Sequence, residues 1–590
     1  MNKLFTLSFL LLVFFSCSGF EKKKEFRNWK EESAHLAKEY AYAWGPLYPE
    51  YISDIGFETF DSMAAPFSKD LDVKRYELAR SWKKRLEAFI ESHHHPELVT
   101  DAKILLSNVE LEMEDIKLAR EKGIIPFMSI SEFVFSHLKP LIKPESSRTK
   151  MQSALIRFRQ YVRGSDNQPP LVEGYMSYMQ DKMNRLAERR KRGIWPVKAE
   201  IIASLNESPE FLRATEELLK KWSGNEWKRD FEELKKQVET YENFIKKKVL
   251  PYAAKDPSVP REVYAYMLKG YGIFEDPDAL IKTAREDYRK TYVEFRRLAA
   301  EIATSHKLKK NDPVFVMSYL ESRKFSQDEE LLNYYKFTAD KLLEIVRANK
   351  LLTIKERPDF IIRFGTKAEM QSIPAPHFDS PSLTGEDKGP GQYIIPRITG
   401  KQGMRDFSFR EAILNLTAHE GIPGHALQYQ SMKERGITLI RAKFAFNSAN
   451  VEGWAHYAEQ IIYPYLTAEE KFVTLQRRLW RQARMFLDPE LNLGKISLPG
   501  NQILNLYMNE LGFSREFAQS ELKRYAYIMP GQAPSYYYGA KIIENLKGKL
   551  KAKHATSFSE QCFNDALLEM GVLPLSEIND RLLRDFSCAR

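Results

Sequence analysis

Residues 328–348 read Asp-Glu-Glu-Leu-Leu-Asn-Tyr-Tyr-Lys-Phe-Thr-Ala-Asp-Lys-Leu-Leu-Glu-Ile-Val-Arg-Ala. Leu331, Leu332, Tyr335, Phe337, Leu342, Leu343 and Val346 recur about every three to four residues. That spacing lines one side of a helix. Charged and apolar residues mix at the same period in 73–92, 98–122, 208–249 and 278–305. Helix starts are marked: Ser208 precedes Pro209 and Glu210, Ser326 precedes Asp328 and Glu329, and Asp278 follows Pro277. No fixed-period repeat interrupts the pattern. A mostly α chain is expected.

One region departs from it. Between 353 and 399 stand Pro358, Pro374, Pro376, Pro381, Pro390 and Pro396 with several glycines. Two extended pieces, Phe360-Ile-Ile-Arg-Phe364 and Gln392-Tyr-Ile-Ile-Pro396, predict a small β-element with long loops. Gln392–Pro396 offers a sheet edge to an extended peptide, or is a Pro-capped edge strand with no ligand. Helical spacing returns at Phe409. The expected division is a helical region over 30–350 and a catalytic region over 351–590 that holds the small sheet and the metal-site helices.

The chain has 590 residues, 43% hydrophobic and 29% charged. That supports a large core and excludes a mostly disordered protein. Lys+Arg is 90 and Asp+Glu is 80, a net charge of +10. Basic runs are short and mixed, as in Glu21–Phe26 and Glu188–Arg192. They read as solvated faces, so no nucleic-acid partner is expected. Three cysteines exclude a disulfide scaffold and argue against an iron–sulfur protein.

Lys3 precedes a 12-residue apolar run, Leu4 to Phe15, too short to cross a bilayer of ~30 Å as a helix. It fits a signal-peptide core over 1–16. Ser16-Cys17-Ser18-Gly19 follows, which resembles a bacterial lipobox with Phe14 in place of the commoner Leu. The expectation is a lipoprotein lipidated on Cys17, with 17–29 as tether, held at the bacterial cell envelope. Ordinary secretion and a retained anchor are the alternatives. Cys562 and Cys588 are compatible with a disulfide or with two free thiols.

The chemistry concentrates after the β-element. His419-Glu-Gly-Ile-Pro-Gly-His425 supplies two imidazoles and a carboxylate. A zinc hydrolase needs neutral imidazole and carboxylate ligands, and a carboxylate that is no ligand to take the water's proton. In His-Glu-x-x-His the two imidazoles stand four apart on one helix face. Here they stand six apart, which turns the second ~120° away on a regular helix. Pro423 lacks an N–H and clashes with the preceding turn, and Gly424 permits unusual dihedrals, so the helix must be irregular there. Glu452, His456 and Glu459 then stand at i, i+4 and i+7 on one face. Glu452 is the expected third ligand. Glu459 is placed to orient a ligand histidine, and His456 is a reserve ligand.

These residues resemble the bacterial family called domain of unknown function 885. Its hallmark His-Glu-x-x-Pro-Gly-His followed by Gln is matched by His419–His425 and Gln428. Its Glu-Gly-Trp-Ala and Tyr-Ala-Glu are matched by Glu452–Ala455 and Tyr457–Glu459. Arg524-Tyr525, Pro530-Gly-Gln-Ala533, Ser535-Tyr536 and Gly539 match a third motif. The resemblance covers about residue 30 to the C-terminus. Ala426 stands where members often have a second His, and His456 where many have Leu. The resemblance implies a helical, two-lobed, metallopeptidase-like protein with a deep cleft. It is similar to the wider His-Glu-x-x-His peptidases with a downstream Glu ligand.

The expected roles are one Zn²⁺ per chain on His419, His425 and Glu452, with Glu420 as general base. Tyr536 is the candidate donor to the tetrahedral oxyanion, or else simply packs in the Tyr-rich turn Tyr536–Tyr538. Arg524 is expected to hold a substrate carboxylate or orient the site, with a structural ion pair as the equal alternative. Peptides are the expected substrates. A metal-free lipoprotein that binds peptides or a partner, and a zinc hydrolase of non-peptide amides, are the competing readings. No Gly-x-Ser-x-Gly and no phosphate-binding Gly-x-x-x-x-Gly-Lys-Ser/Thr is present.

Overall fold

Residues 328–348 form one helix, Asp328–Ala348, in the computed structural model. Leu331, Tyr335, Leu342, Leu343 and Val346 are buried along it, while Phe337 is 58% exposed. The described residues are 28–588, apart from 144–145, 190–191, 223, 367–368, 371–372, 374, 382, 384–388, 399–404 and 446. Cys17 and the expected signal peptide lie outside them. Asn28 already caps the first helix, Trp29–Trp44, by accepting from the N–H groups of Lys30 and Glu31.

The fold is mostly helical with one small sheet. Long antiparallel neighbours carry it. Leu71–Ser92 packs on Pro96–Lys122, and Pro277–Ser305 packs on Ala468–Asn492. Across the second pair the rings of Phe295 and Phe472 stack with centroids 4.4 Å apart. Asp276 caps Pro277–Ser305 by accepting from the N–H groups of Asp278 and Ala279. Ser208-Pro209 marks no helix start. One helix, Lys198–Leu219, runs through Pro209, and a separate helix follows at Trp227–Phe244. Pro209 lies on an exposed position, where water can serve the carbonyl that loses its partner.

Among the described residues, three apolar cores organise these elements. The largest draws on residues from Leu36 to Phe586, on both sides of position 350. A second holds residues between Ala64 and Val249. A third joins Leu331 and Tyr335 to Tyr393, Ile395 and Ile413 and so binds the sheet to two helices. Cys562 and Cys588 are disulfide-bonded, with Cα atoms 5.7 Å apart. No helix among the described residues is long and apolar enough to cross a membrane.

The sheet has strands β1 (Phe360–Phe364), β2 (His377–Asp379) and β3 (Gly391–Ile395), in the order β1-β3-β2. β1 is parallel to β3 and β2 is antiparallel to it. This corrects the expected edge. β3 has a partner on each side, and Tyr393, Ile394 and Ile395 are fully buried, as suits an apolar run covered on both faces. The edge beside the site is β2, three residues in a Pro-rich segment with no alternation to announce it.

Candidate metal centre

The helix Arg410–Glu420 stops at Glu420, and a new helix, His425–Arg435, begins at His425. The irregularity expected at Pro423-Gly424 is therefore a break between two helices. A Cβ built on Gly424 would fall 1.8 Å from the carbonyl oxygen of His419. Only glycine lets the chain double back this tightly. Trp454 Nε1 donates to the carbonyls of Pro423 and Gly424 at 3.1 and 3.3 Å, which fixes the turn to the helix Ser448–Ile462. The rings of His419 and His425 end with centroids 5.0 Å apart, at 85°.

Glu452 meets them from the Ser448–Ile462 helix. Its Oε2 lies 3.4 Å from Nε2 of His419 and 3.4 Å from Nε2 of His425. This oxygen is buried and accepts no hydrogen bond. A tetrahedral zinc site with bonds of about 2.0–2.1 Å has ligand–ligand edges of about 3.3–3.4 Å. Two imidazole nitrogens and an unpartnered buried carboxylate oxygen at that spacing fit the ion. Glu420 stands alongside: its Oε1 is 4.0 Å from His419 Nε2, and its Oε2 accepts the backbone N–H of Phe378, in β2, at 3.0 Å.

The helix face carrying Glu452 also carries Glu459, two turns on. Glu459 Oε1 accepts from His419 Nδ1 at 2.8 Å, so Nδ1 bears the proton and Nε2 is left to coordinate. Asn415 Nδ2 donates to the other Glu459 oxygen at 2.9 Å, and Arg481 stands 3.6 Å from Oε1. Burial opposes the charge on Glu459, but Arg481, His456 and His419 together hold its carboxyl well below the usual range. Burial also opposes charge on His419. The Glu452, Glu459 and Glu420 carboxylates outweigh it and lift the imidazole to about 9. The pocket thus demands positive charge, which a proton or a metal ion can meet.

His456 does not join the ligand atoms. It lies behind Glu459, its Nδ1 3.4 Å from Glu459 Oε2, and burial lowers its pKa.

Tyr536 lies on the other side of His419, its ring nearly parallel at 6.0 Å. Burial raises its pKa, with Glu452 adding to the effect. Arg524 points Nη2 to the Tyr536 hydroxyl at 3.4 Å and to Gln532 Oε1 at 2.6 Å. Gln532 in turn donates to Ser448 Oγ at 3.0 Å. The helix Ser535–His554 brings Tyr536 here by crossing Ser448–Ile462 at Gly453 and Gly539. A Cβ on Gly539 would sit 1.8 Å from the carbonyl oxygen of Ala449, so the two backbones come this close only because that position is glycine.

Four contributors escaped the sequence reading. Asn415 stands one turn before His419 and Trp454 sits inside the Glu-Gly-Trp-Ala motif, so both carried a readable signal. Arg481 is spaced with Arg477 and Arg484 at i, i+4 and i+7, which reads as a solvated face, yet all three are buried. The Phe378 N–H carried no signal, because any residue supplies one.

Residues 49–582 match the family described as bacterial protein of unknown function, DUF885. No curated protein matches the chain. A "putative lipoprotein of unknown function" from Shewanella oneidensis superposes with a TM-score of 0.75 at 16% identity, over 94% of this chain and 100% of that one. A "putative lipoprotein" from Colwellia psychrerythraea does so with a TM-score of 0.73 at 16% identity, over 94% and 99%. At this identity the likeness is one of fold.

Proposed function

The chain belongs to the DUF885 family of bacterial proteins of unknown function, and from that premise we propose that it is a zinc-dependent peptidase tethered to the cell envelope through a lipid on Cys17. One geometry carries the reading: the buried Glu452 Oε2, without a hydrogen bond, stands 3.4 Å from the Nε2 atoms of both His419 and His425. These three residues hold one Zn²⁺ per chain. Zinc in such a site polarises a carbonyl and lowers the pKa of water to about 7.

The side chains around it divide the remaining work. Glu459 keeps the His419 ring oriented with Nε2 inward. Glu420 is pinned through Oε2 by the Phe378 N–H, which leaves Oε1 to take the proton of the attacking water. Glu420 then returns that proton to the departing nitrogen as the C–N bond breaks. Tyr536 donates to the carbonyl oxygen as it gains charge. Arg524 steadies the Tyr536 hydroxyl and sustains its polarity. In this reading the two larger cores correspond to two lobes flanking the substrate cleft.

Protein purified without added zinc should carry one zinc per chain. A chain that arrives without metal, and takes up none at micromolar zinc, would favour a peptide-binding lipoprotein instead. The lipid rests on the apolar run before Cys17 and agrees with the names of the Shewanella and Colwellia neighbours. Cys17→Ser should leave the membrane fraction or stay unprocessed, and equal lipid labelling of both proteins would sink the tether.

A further inference from the structure

The helix Ala468–Asn492 sends one carboxylate, Asp488, into the segment that follows Arg524. Asp488 is fully buried. Its Oδ1 accepts from the Tyr264 hydroxyl at 2.8 Å, from Asn492 Nδ2 at 3.1 Å and from the Gly531 N–H at 3.0 Å. Its Oδ2 shares the Gly531 N–H at 3.2 Å. One turn further along the same helix, Asn492 Nδ2 also donates to the Tyr525 carbonyl at 3.0 Å. The two side chains thus clamp both ends of the segment 525–531. Arg524 stands just before one end and Gln532 just after the other. Arg524 Nη2 meets Gln532 Oε1 at 2.6 Å and the Tyr536 hydroxyl at 3.4 Å, so the placing of all three depends on the clamp. The chain over Arg524–Ile528 is a π-helical turn, a rare form often found at functional sites.

The donors around Asp488 are neutral. Burial prevails over them and over the charge of Arg524, and pushes the carboxyl up to about 7. Among the described residues, the titratable groups that face it are Arg524 and two tyrosines, Tyr264 within the helix Arg261–Gly270 and Tyr271 just past it. A proton on Oδ2 turns an acceptor of the Gly531 N–H into a donor aimed at it.

We propose that Asp488 is a positioning residue for the Tyr536 hydroxyl: by holding the Gly531 turn, its carboxylate sets Gln532 and Arg524 against that hydroxyl. The inference rests on the peptidase reading and deepens it, because it ties the oxyanion donor to the ionisation of a buried carboxylate behind it.

The test uses Asp488→Asn, which keeps Oδ1 and puts an amide group where the acid would carry its proton. Zinc content and helicity should not change. On the zinc-loaded full chain at about pH 8.5, kcat for a cleaved peptide should fall about three- to ten-fold, the worth of one hydrogen bond, with KM steady. The ratio of wild type to variant should shrink toward one as the pH falls through about 7, because wild type then carries the proton that the amide imitates. The ratio cancels every ionisation that the two proteins share. In a Tyr536→Phe background the substitution should cost nothing further. A ratio that stays flat with pH, or an equal loss in Tyr536→Phe, overturns the proposal. Hydrogen exchange over 525–533 reads the clamp without any substrate, and at about pH 8 it should be faster in Asp488→Asn than in wild type. Equal exchange in the two proteins also overturns it. Faster exchange in the variant of a zinc-loaded protein that cuts nothing leaves the clamp standing and removes the peptidase reading.

Discussion

Glu420→Gln should keep its zinc and its fold and lose about 10²–10⁴-fold in peptide hydrolysis, the usual cost of removing a general base. The amide has the shape of the carboxylate and can still accept the Phe378 N–H that now reaches Glu420 Oε2 at 3.0 Å. Local structure therefore has no reason to change. The proposed donor set is also untouched, since Glu452, 3.4 Å from both imidazoles, is the nearer carboxylate in that proposal, with Glu420 Oε1 4.0 Å from His419 Nε2. What disappears is the ability to take a proton from water and hand it on. Glu452→Gln should fail differently, by weakening the metal, because it removes a ligand's charge. Zinc stoichiometry and turnover of a peptide library, measured on both variants, separate the two effects. Wild-type turnover by Glu420→Gln would falsify the assignment of the base.

His419→Ala should abolish zinc binding. It removes one ligand nitrogen and also dismantles what surrounds it. Glu459 loses the Nδ1–H it accepts at 2.8 Å, and Glu452 loses one of its two facing imidazoles. Both carboxylates are then buried with less compensation, and breaking a buried pair by removing one partner typically costs about 3–5 kcal/mol. A lower melting temperature is expected beside the metal loss, even when both proteins are compared free of zinc. Zinc content at a temperature where circular dichroism shows the variant still helical isolates the ligand effect. Retention of one zinc at wild-type affinity by His419→Ala would refute the proposed donor set.

The neighbours of the site explain why its parts differ in legibility. His419, Glu420 and His425 could be picked out because imidazole and carboxylate at close spacing, with Pro-Gly between, are chemically specific. Glu452 and Glu459 could be picked out because seven residues make two helical turns, so a single face must carry both. The way His425 returns was not legible. It depends on a helix ending at Glu420 and on the backbone of Gly424 lying against the His419 carbonyl. The strand that holds Glu420 was missed for a related reason. β2 has three residues, too few for a periodic signal, and exists through its register with β3.

By itself the sequence determined that the chain is mostly helical, that a small sheet precedes the histidine helix, and which imidazoles and carboxylates are candidates for a shared site. Those follow from periodicity and side-chain chemistry, which are local. Only the tertiary structure decided which polar helix faces are buried, that β3 is central and β2 the edge, and that Glu452 and Glu459 address opposite nitrogens of His419. Phe337 and Arg481 show the physical reason. The first is apolar at a helical repeat position and exposed, the second is charged and buried against Glu459. Burial is set by whichever elements pack across a position, and those elements lie far away in the chain.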